Sequence, residues 1–193
     1  MTLHTTLKQH PERAVPEKLH AILAEGLVAH VGFCQDGQPY VIPFSYHFDP
    51  QQPACVYLHG STNSRALQWL AQGHPLCVDV TLLDGLVYSR TALYHSMNYR
   101  SVIGFGQAQP VTDADEKAAI LEQMVQKYFP GRTAGRDYAA APEEHLRATL
   151  LLRVTVTDWC AKSRADGPRG PHDQDGQAPG SAGVTDLRGG VSA

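Results

Sequence analysis

The chain has 193 residues, a formal net charge of -3 and a sequence pI near 6.3. That length suits one domain with a real core, and the mild acidity gives no electrostatic case for nucleic acid or an anionic membrane as partner. No apolar run approaches the roughly 20 residues of a membrane-spanning helix, and the polar start MTLHTTLKQHPERAVPEK has no signal-peptide core, so a cytoplasmic protein is expected.

Residues 1–15 read as an irregular arm. Pro16 at a first helical turn, then Leu19, Ile22 and Leu23, predict a short helix that stops at Gly26. Leu27 to Gln35 alternates as a strand, Asp36-Gly37 is a two-residue hairpin signal, and Pro39 to Phe48 returns. Pro43 inside the return strand marks an edge, a bulge, or a place where backbone faces a ligand.

Cys55 to Gly73 is the stretch of greatest interest. Val56 and Leu58 alternate with Tyr57 and His59, the strand breaks at Gly60, and Ser61, Thr62, Asn63, Ser64 and Arg65 lead into a helix carrying Leu67, Trp69 and Leu70. Backbone N–H groups at a helix start lack intrahelical partners and favour an anion. Arg65 adds a planar cation suited to phosphate oxygens. The plainer reading is an ordinary helix cap, since Ser, Thr and Asn are the preferred caps in any case.

Leu76, Val78, Val80 and Leu82 alternate in the next strand, and Asp84-Gly85 signals a turn or bulge. Ser101 to Val111 is a strand with Gly104 and Gly106, where a second backbone or a flat ligand can approach closely. Asp113 caps a helix that ends before Pro130-Gly131; a loop and one or two helical turns from Pro142 precede the last strand, with Leu150, Leu152, Val154 and Val156 on alternate positions. From about Asp166 to residue 193 Gly, Pro, Asp and Ser dominate, which predicts a disordered or partner-dependent tail. The domain proper is therefore 16–165, mainly β with flanking helices (α+β). Hairpin-joined strands favour a closed or partly open antiparallel barrel.

Cys34, Cys55, Cys77 and Cys160 show no metal-ligand spacing, and the ten histidines are dispersed, so no metal site is expected.

VGFCQDGQPYVIPFSYHF, VYLHGSTNSRAL, SMNYRSVIGFGQA and RATLLLRVTVTDWCAKSRADGP, in that order, resemble the pyridoxamine 5'-phosphate oxidase-related flavoproteins, and more narrowly the branch with nitroimidazole-resistance proteins. The resemblance spans about Pro16 to Pro168. It implies an FMN-binding antiparallel split β-barrel, a homodimer with the flavin at the dimer interface, although FAD or haem is not distinguished from FMN. It assigns Thr62, Asn63, Ser64 and Arg65 to the flavin phosphate. Pro43, Phe44, Ser45 and Tyr46 would run along the ring or ribityl chain. Tyr99, Arg100 and Ser101 would form the phosphate end or opposite wall, and Lys162 and Arg164 would reach the partner's site. His59 matches a histidine beside the reactive centre, a candidate catalytic proton or hydrogen-bond donor; its plainer role is a strand residue facing the dimer interface.

The pattern departs from the pyridoxamine phosphate oxidases themselves, because Arg65 is followed by Ala66 rather than a second cation, and WCAKSRADGP replaces their substrate-phosphate set. Vitamin B6 oxidation is not carried over. The resemblance instead implies a flavin-dependent oxidoreductase acting on a small electron-poor molecule. NAD(P)H would dock transiently, since Gly104-Phe105-Gly106 lies inside a strand and is no dinucleotide fingerprint. The alternatives are a non-catalytic flavin- or haem-binding sensor, with His47, His59 or His95 as axial-ligand candidates, and a scaffold dimer with a degenerate groove.

Overall fold

The computed structural model describes residues 6–188, so the first five residues of the arm and the last five of the tail lie outside the described residues. Eight strands form a single sheet in the order β2-β1-β5-β6-β7-β4-β3, with β8 added on β5. The strands are β1 (Ala29–Gln35), β2 (Gln38–Phe44), β3 (Tyr46–Phe48), β4 (Cys55–Ser61), β5 (Pro75–Tyr88), β6 (Ser96–Pro110), β7 (Thr149–Arg164) and β8 (Gly183–Asp186). Every pairing between them is antiparallel. The helices are α1 (Leu19–Glu25), α2 (Arg65–Leu70), α3 (Ala114–Tyr128) and α4 (Glu143–Ala148).

Local chemistry accounts for most boundaries. Asp36 and Gly37 both take positive φ, 51° and 79°, which is what a tight hairpin turn between β1 and β2 requires. Asp113 caps α3 by accepting from the Glu116 amide at 2.7 Å. The expected return strand from Pro39 to Phe48 is broken in two at Ser45. β2 pairs only with β1, and β3 only with β4. Pro43, which cannot donate to a ladder, therefore sits on an edge strand as its chemistry demands.

That break decides the architecture. β2 and β3 are consecutive in the chain yet occupy the two ends of the sheet path, joined covalently by Ser45 and by no ladder. The sheet curls but is not closed, and Ser45 marks its seam. Its interior face carries Val31, Val78, Val80, Val102 and Val154 with Leu58 and Leu152, all nearly or fully buried, and α1 and α2 add Ile22, Leu23, Leu67 and Leu70. Each such side chain stabilises the fold by about 1.5–3 kcal/mol relative to exposure. A second, smaller cluster forms on the outer face, where Ile120 of α3 covers Tyr57, Val111 and Leu151.

Asp84-Gly85 makes a bulge within one long strand rather than a turn between two. Beyond it β5, β6 and β7 run on past the rest of the sheet. The first-mentioned arm covers one edge of this extension: Ala14 bridges Lys162, and the Val15 amide donates to the Ala161 carbonyl at 2.9 Å. The segment from Asp166, for which composition predicts disorder or partner dependence, is laid against the other edge. Asp166 is bonded to Asn98, Asp173 to Ser89 and Arg90, and β8 pairs with Gly85 to Tyr88 where β1 no longer reaches. The reason lies in unpaired edge N–H and C=O groups, which gain partners from any strand that covers them. No helix among the described residues is long and apolar enough to cross a membrane.

Candidate functional site

At the β4–α2 junction, Gly60 leaves no room for a side chain, since a Cβ there would lie 2.8 Å from Leu67 Cδ1; its absence lets α2 press Leu67 into the core. Ser64 is the helix cap, its hydroxyl accepting from the Leu67 amide at 3.4 Å. The Thr62 amide donates to the Ala148 carbonyl and the Asn63 amide to the Ser61 hydroxyl. Arg65 is exposed and lies over the Tyr40 ring of β2, 5.2 Å from its centroid. No carboxylate pairs with it among the described residues. α2 is held against the β1–β2 hairpin by Trp69, whose indole N–H donates to the Cys34 carbonyl at 3.1 Å and whose ring stacks on His74. The junction thus offers an uncommitted guanidinium on a rigid mount beside the edge strand.

Side chains of directly opposed residues share a face, so the registers lay out the outer face in rows. One row runs Pro43, His30, Asp79, Ile103 and Cys160; another runs Val41, Gly32, Cys77, Phe105 and Asp158. A third holds Thr81, Ser101 and Lys162. A groove of about 860 Å3 crosses this face, floored by Gly32, Cys77, Phe105, Gly106, Gln107 and Thr155. Gly104 and Gly106 serve the sheet rather than the groove directly. Gly104 makes space for the Trp159 ring, and a Cβ on Gly106 would fall 2.0 Å from the Thr155 carbonyl oxygen at a bulge.

Of the residues assigned from sequence, Pro43, Ser45, Asn63 and Arg65 are open to solvent, and Thr62 and Ser64 are half-buried. Tyr99, Ser101 and Lys162 share the outer face, with the Lys162 ammonium 5.7 Å from the Tyr99 ring centroid. Four assigned residues are committed elsewhere. Tyr46 is fully buried and donates its hydroxyl to the Leu23 carbonyl at 2.5 Å; Phe44 packs against the core. Arg100 lies on the opposite face from its neighbours Tyr99 and Ser101, and is held by Asp84 (2.9 and 2.7 Å) and Glu25 (2.5 and 2.8 Å). Those two carboxylates raise its pKa above the ordinary arginine value, and the bond to Arg100 lowers that of Glu25. Arg164 is buried, donating to Asn98 Oδ1 at 2.7 Å and the Met97 carbonyl at 3.3 Å. Alternation within a strand explains Phe44, Tyr46 and Arg100, since every second residue faces inward and a motif read as a run cannot know which. Arg164 shares its register face with Tyr99 and Lys162, and it is its bonds to Asn98 and the Met97 carbonyl that bury it.

The structure does not bring the two remaining groups together within one chain. Ser61, beside the α2 junction, opposes Thr149 at the start of β7, whereas Lys162 lies thirteen residues further along that strand, on the order of 40 Å of strand path.

His59 stands on the outer face of β4 opposite Leu151. Burial pushes its pKa down, favouring the neutral ring, and its Nδ1 is buried without a hydrogen-bond partner. Of the other two histidines considered for a haem, His47 is more than nine-tenths buried and His95 is exposed. No cluster of three or more His, Cys, Asp or Glu among the described residues suits a metal ion. Tyr40, which carries Arg65, escaped the sequence reading; the Asp36-Gly37 turn fixes its register, but only the position of α2 sets Arg65 above it.

The chain is thus an open, curled antiparallel sheet with an apolar groove on its outer face and an exposed cation at the β4–α2 strand-to-helix junction. The comparisons make this specific. The pyridoxamine 5'-phosphate oxidase family model matches residues 16–163, and the chain belongs to that family. Among solved structures it is similar to the FAD and heme binding protein from Mycobacterium smegmatis, with 32% identity over 90% of this chain and 82% of that one, and a TM-score of 0.79. It is also similar to the flavocytochrome Anf3 from Azotobacter vinelandii, with 30% identity, 97% and 85% coverage and a TM-score of 0.81. A candidate 5-nitroimidazole antibiotic resistance protein from Bacteroides thetaiotaomicron shares the fold at 21% identity, 77% and 84% coverage and a TM-score of 0.62. None of the curated proteins matches the chain.

Proposed function

We propose that this protein is a flavin-binding redox protein, a split-barrel homodimer that holds FMN or FAD between the seam of one copy and the outer face of the other. The observation that carries the reading is the uncommitted Arg65 guanidinium, fixed over Tyr40 at the edge strand. A flavin needs a cation at its phosphate end and a flat, largely apolar wall for its ring; Arg65 with the Ser64 hydroxyl meets the first need, and the outer-face groove the second. The separation of Arg65 from Tyr99, Ser101 and Lys162 within one chain favours a site completed by a second copy. So do Val41, Ile103, Leu86 and Met97, which are exposed apolar residues on or beside that face. The relative from Mycobacterium smegmatis, named for FAD, favours FAD over FMN.

Bound flavin supplies one- and two-electron transfer. This chain's residues orient and shield it: Arg65 anchors charge, Pro43 and Ser45 line its edge, and the neutral His59 donates or accepts a proton through its imidazole. Reduction of a small electron-poor organic molecule, with NAD(P)H as donor, is the reaction class that fits, since no nucleophile is required.

A second group has its own support. The buried, unpartnered Nδ1 of His59 would be a candidate to hold haem iron, were haem bound there, and both relatives named above carry haem as well as flavin in their names. Absorbance spectra of the purified protein, before and after addition of FMN, FAD and hemin with excess removed, test both. A retained flavin band near one per chain supports the reading, with a Soret band lost in His59→Ala supporting the second. Neither band after reconstitution would sink it in favour of a non-catalytic dimer. Light scattering at the mass of one chain would sink the homodimer.

A further inference from the structure

The seam at Ser45 leaves a problem the sheet cannot solve. No ladder crosses from β2 to β3, so backbone groups there must find partners outside the sheet. Tyr128, the last residue of α3, provides them. Tyr128 Oη accepts from the Tyr46 amide at 2.8 Å and lies 2.7 Å from the Leu27 carbonyl and 3.1 Å from that of Tyr46, either of which takes its single proton.

Lys127 works beside it. Its ammonium donates to the Leu23 carbonyl at 3.2 Å and stands 3.5 Å from the centroid of the Tyr46 ring. Leu23 lies in the last turn of α1, where carbonyls lack helical partners and a cation is favoured. The same oxygen takes the Tyr46 hydroxyl, which uses both its lone pairs. Burial pushes the Lys127 pKa down to about 8, which still leaves it charged at neutral pH. Three otherwise separate pieces meet at this point: the end of α1, the Leu27 connection to β1, and the seam.

We propose that Tyr128 and Lys127 are positioning residues of the flavin site, a clasp that holds Tyr46 inward and so presents Pro43 and Ser45 outward. Neither touches the ligand; both act through Tyr46. This rests on the flavin reading above. Alternation puts Pro43 and Ser45 on the side opposite Phe44 and Tyr46, so any loosening of Tyr46 displaces them.

Tyr128→Phe removes the hydroxyl alone. Hydrogen exchange over residues 43–48 of the unloaded protein should quicken about fivefold to tenfold, the scale of one lost hydrogen bond, while exchange in the middle of β6 stays unchanged. In the loaded protein, the flavin dissociation constant should rise by a similar factor and the flavin absorbance envelope should shift. Lys127→Met should move the same two readouts in the same direction, and serves if Tyr128→Phe fails to fold; Lys127→Arg should restore them. Unchanged exchange at 43–48 overturns the clasp whatever the flavin does. Faster exchange with unaltered flavin affinity and spectrum overturns the positioning role. Wild-type protein that retains no flavin, yet shows the exchange effect, removes the flavin reading and with it the positioning role, leaving the clasp as purely structural.

Discussion

The backbone amide of Arg90 donates to the carboxylate of Asp173 at 2.8 Å, across 83 residues of chain. Asp173 also takes the Ser89 hydroxyl at 2.8 Å and the Gly170 amide at 2.5 Å, while the Arg90 guanidinium donates to the carbonyls of Ala178 and Gly180. Two residues thus tie a Gly/Pro-rich segment to the end of β5, and β8 completes the attachment. We expect Asp173→Ala to release the segment without unfolding the sheet. Limited proteolysis should then cut between Gly170 and Arg188 severalfold faster than in the wild type. Equal cleavage rates would show that these bonds do not hold it.

Arg65→Ala should weaken flavin retention by about 1.5–3 kcal/mol, the scale of a charge-assisted hydrogen bond. Tyr40→Leu should cost less, about 0.5–1 kcal/mol, because it removes only the ring beneath the guanidinium. Equilibrium dialysis with FMN and FAD reads both. Unchanged affinity in Arg65→Ala would take it out of the phosphate site.

His47 predicts acid sensitivity. It is buried on β3, neither ring nitrogen completes a hydrogen bond, and burial first, then the charge of Lys127, push its pKa down. Asp49 and the nearby Gln123 lean the other way without reversing the shift. The native state therefore resists a proton that the unfolded chain accepts near its ordinary value of about 6.5. Stability should be intact above that value and fall as pH drops through it towards the lowered native pKa. Urea midpoints measured from about pH 7.5 to 5 should decline more steeply for wild type than for His47→Phe. Parallel declines would exclude His47 as the cause.

Gly106→Ala should destabilise the protein by about 1–3 kcal/mol, the usual cost of forcing extra volume into a packed site. The added Cβ would meet backbone, the Thr155 carbonyl, which has no rotamer to change. A urea midpoint equal to wild type would mean the bulge relaxes freely.

What was legible in the sequence was what neighbours in the chain control. Asp36-Gly37 carries the positive φ of its own turn, Asp113 and Ser64 cap the helices that follow them, and Pro43 announces an edge because it lacks an amide proton. Commitment of side chains was not legible. Tyr99, Arg100 and Ser101 read as one motif, yet the pleat sends Arg100 to Asp84 and Glu25 and leaves the other two on the outer face. In the sequence Tyr46 reads as ligand-facing, but its hydroxyl is spent on Leu23.

Periodicity, turn residues and caps act over a few positions, so the mainly antiparallel β class, the helix caps and the Ser64-Arg65 junction are legible in the chain itself, and the family shows in motifs whose order the chain shares with it. That the sheet stays open at Ser45, that Arg100 and Arg164 are structural ties, and that residues 166–186 run along an edge are settled by contacts between distant parts of the chain. Those outcomes depend on partners tens of residues away, Tyr128 for Tyr46 and Asp173 for Arg90, and no local pattern records which distant group will arrive to complete a hydrogen bond.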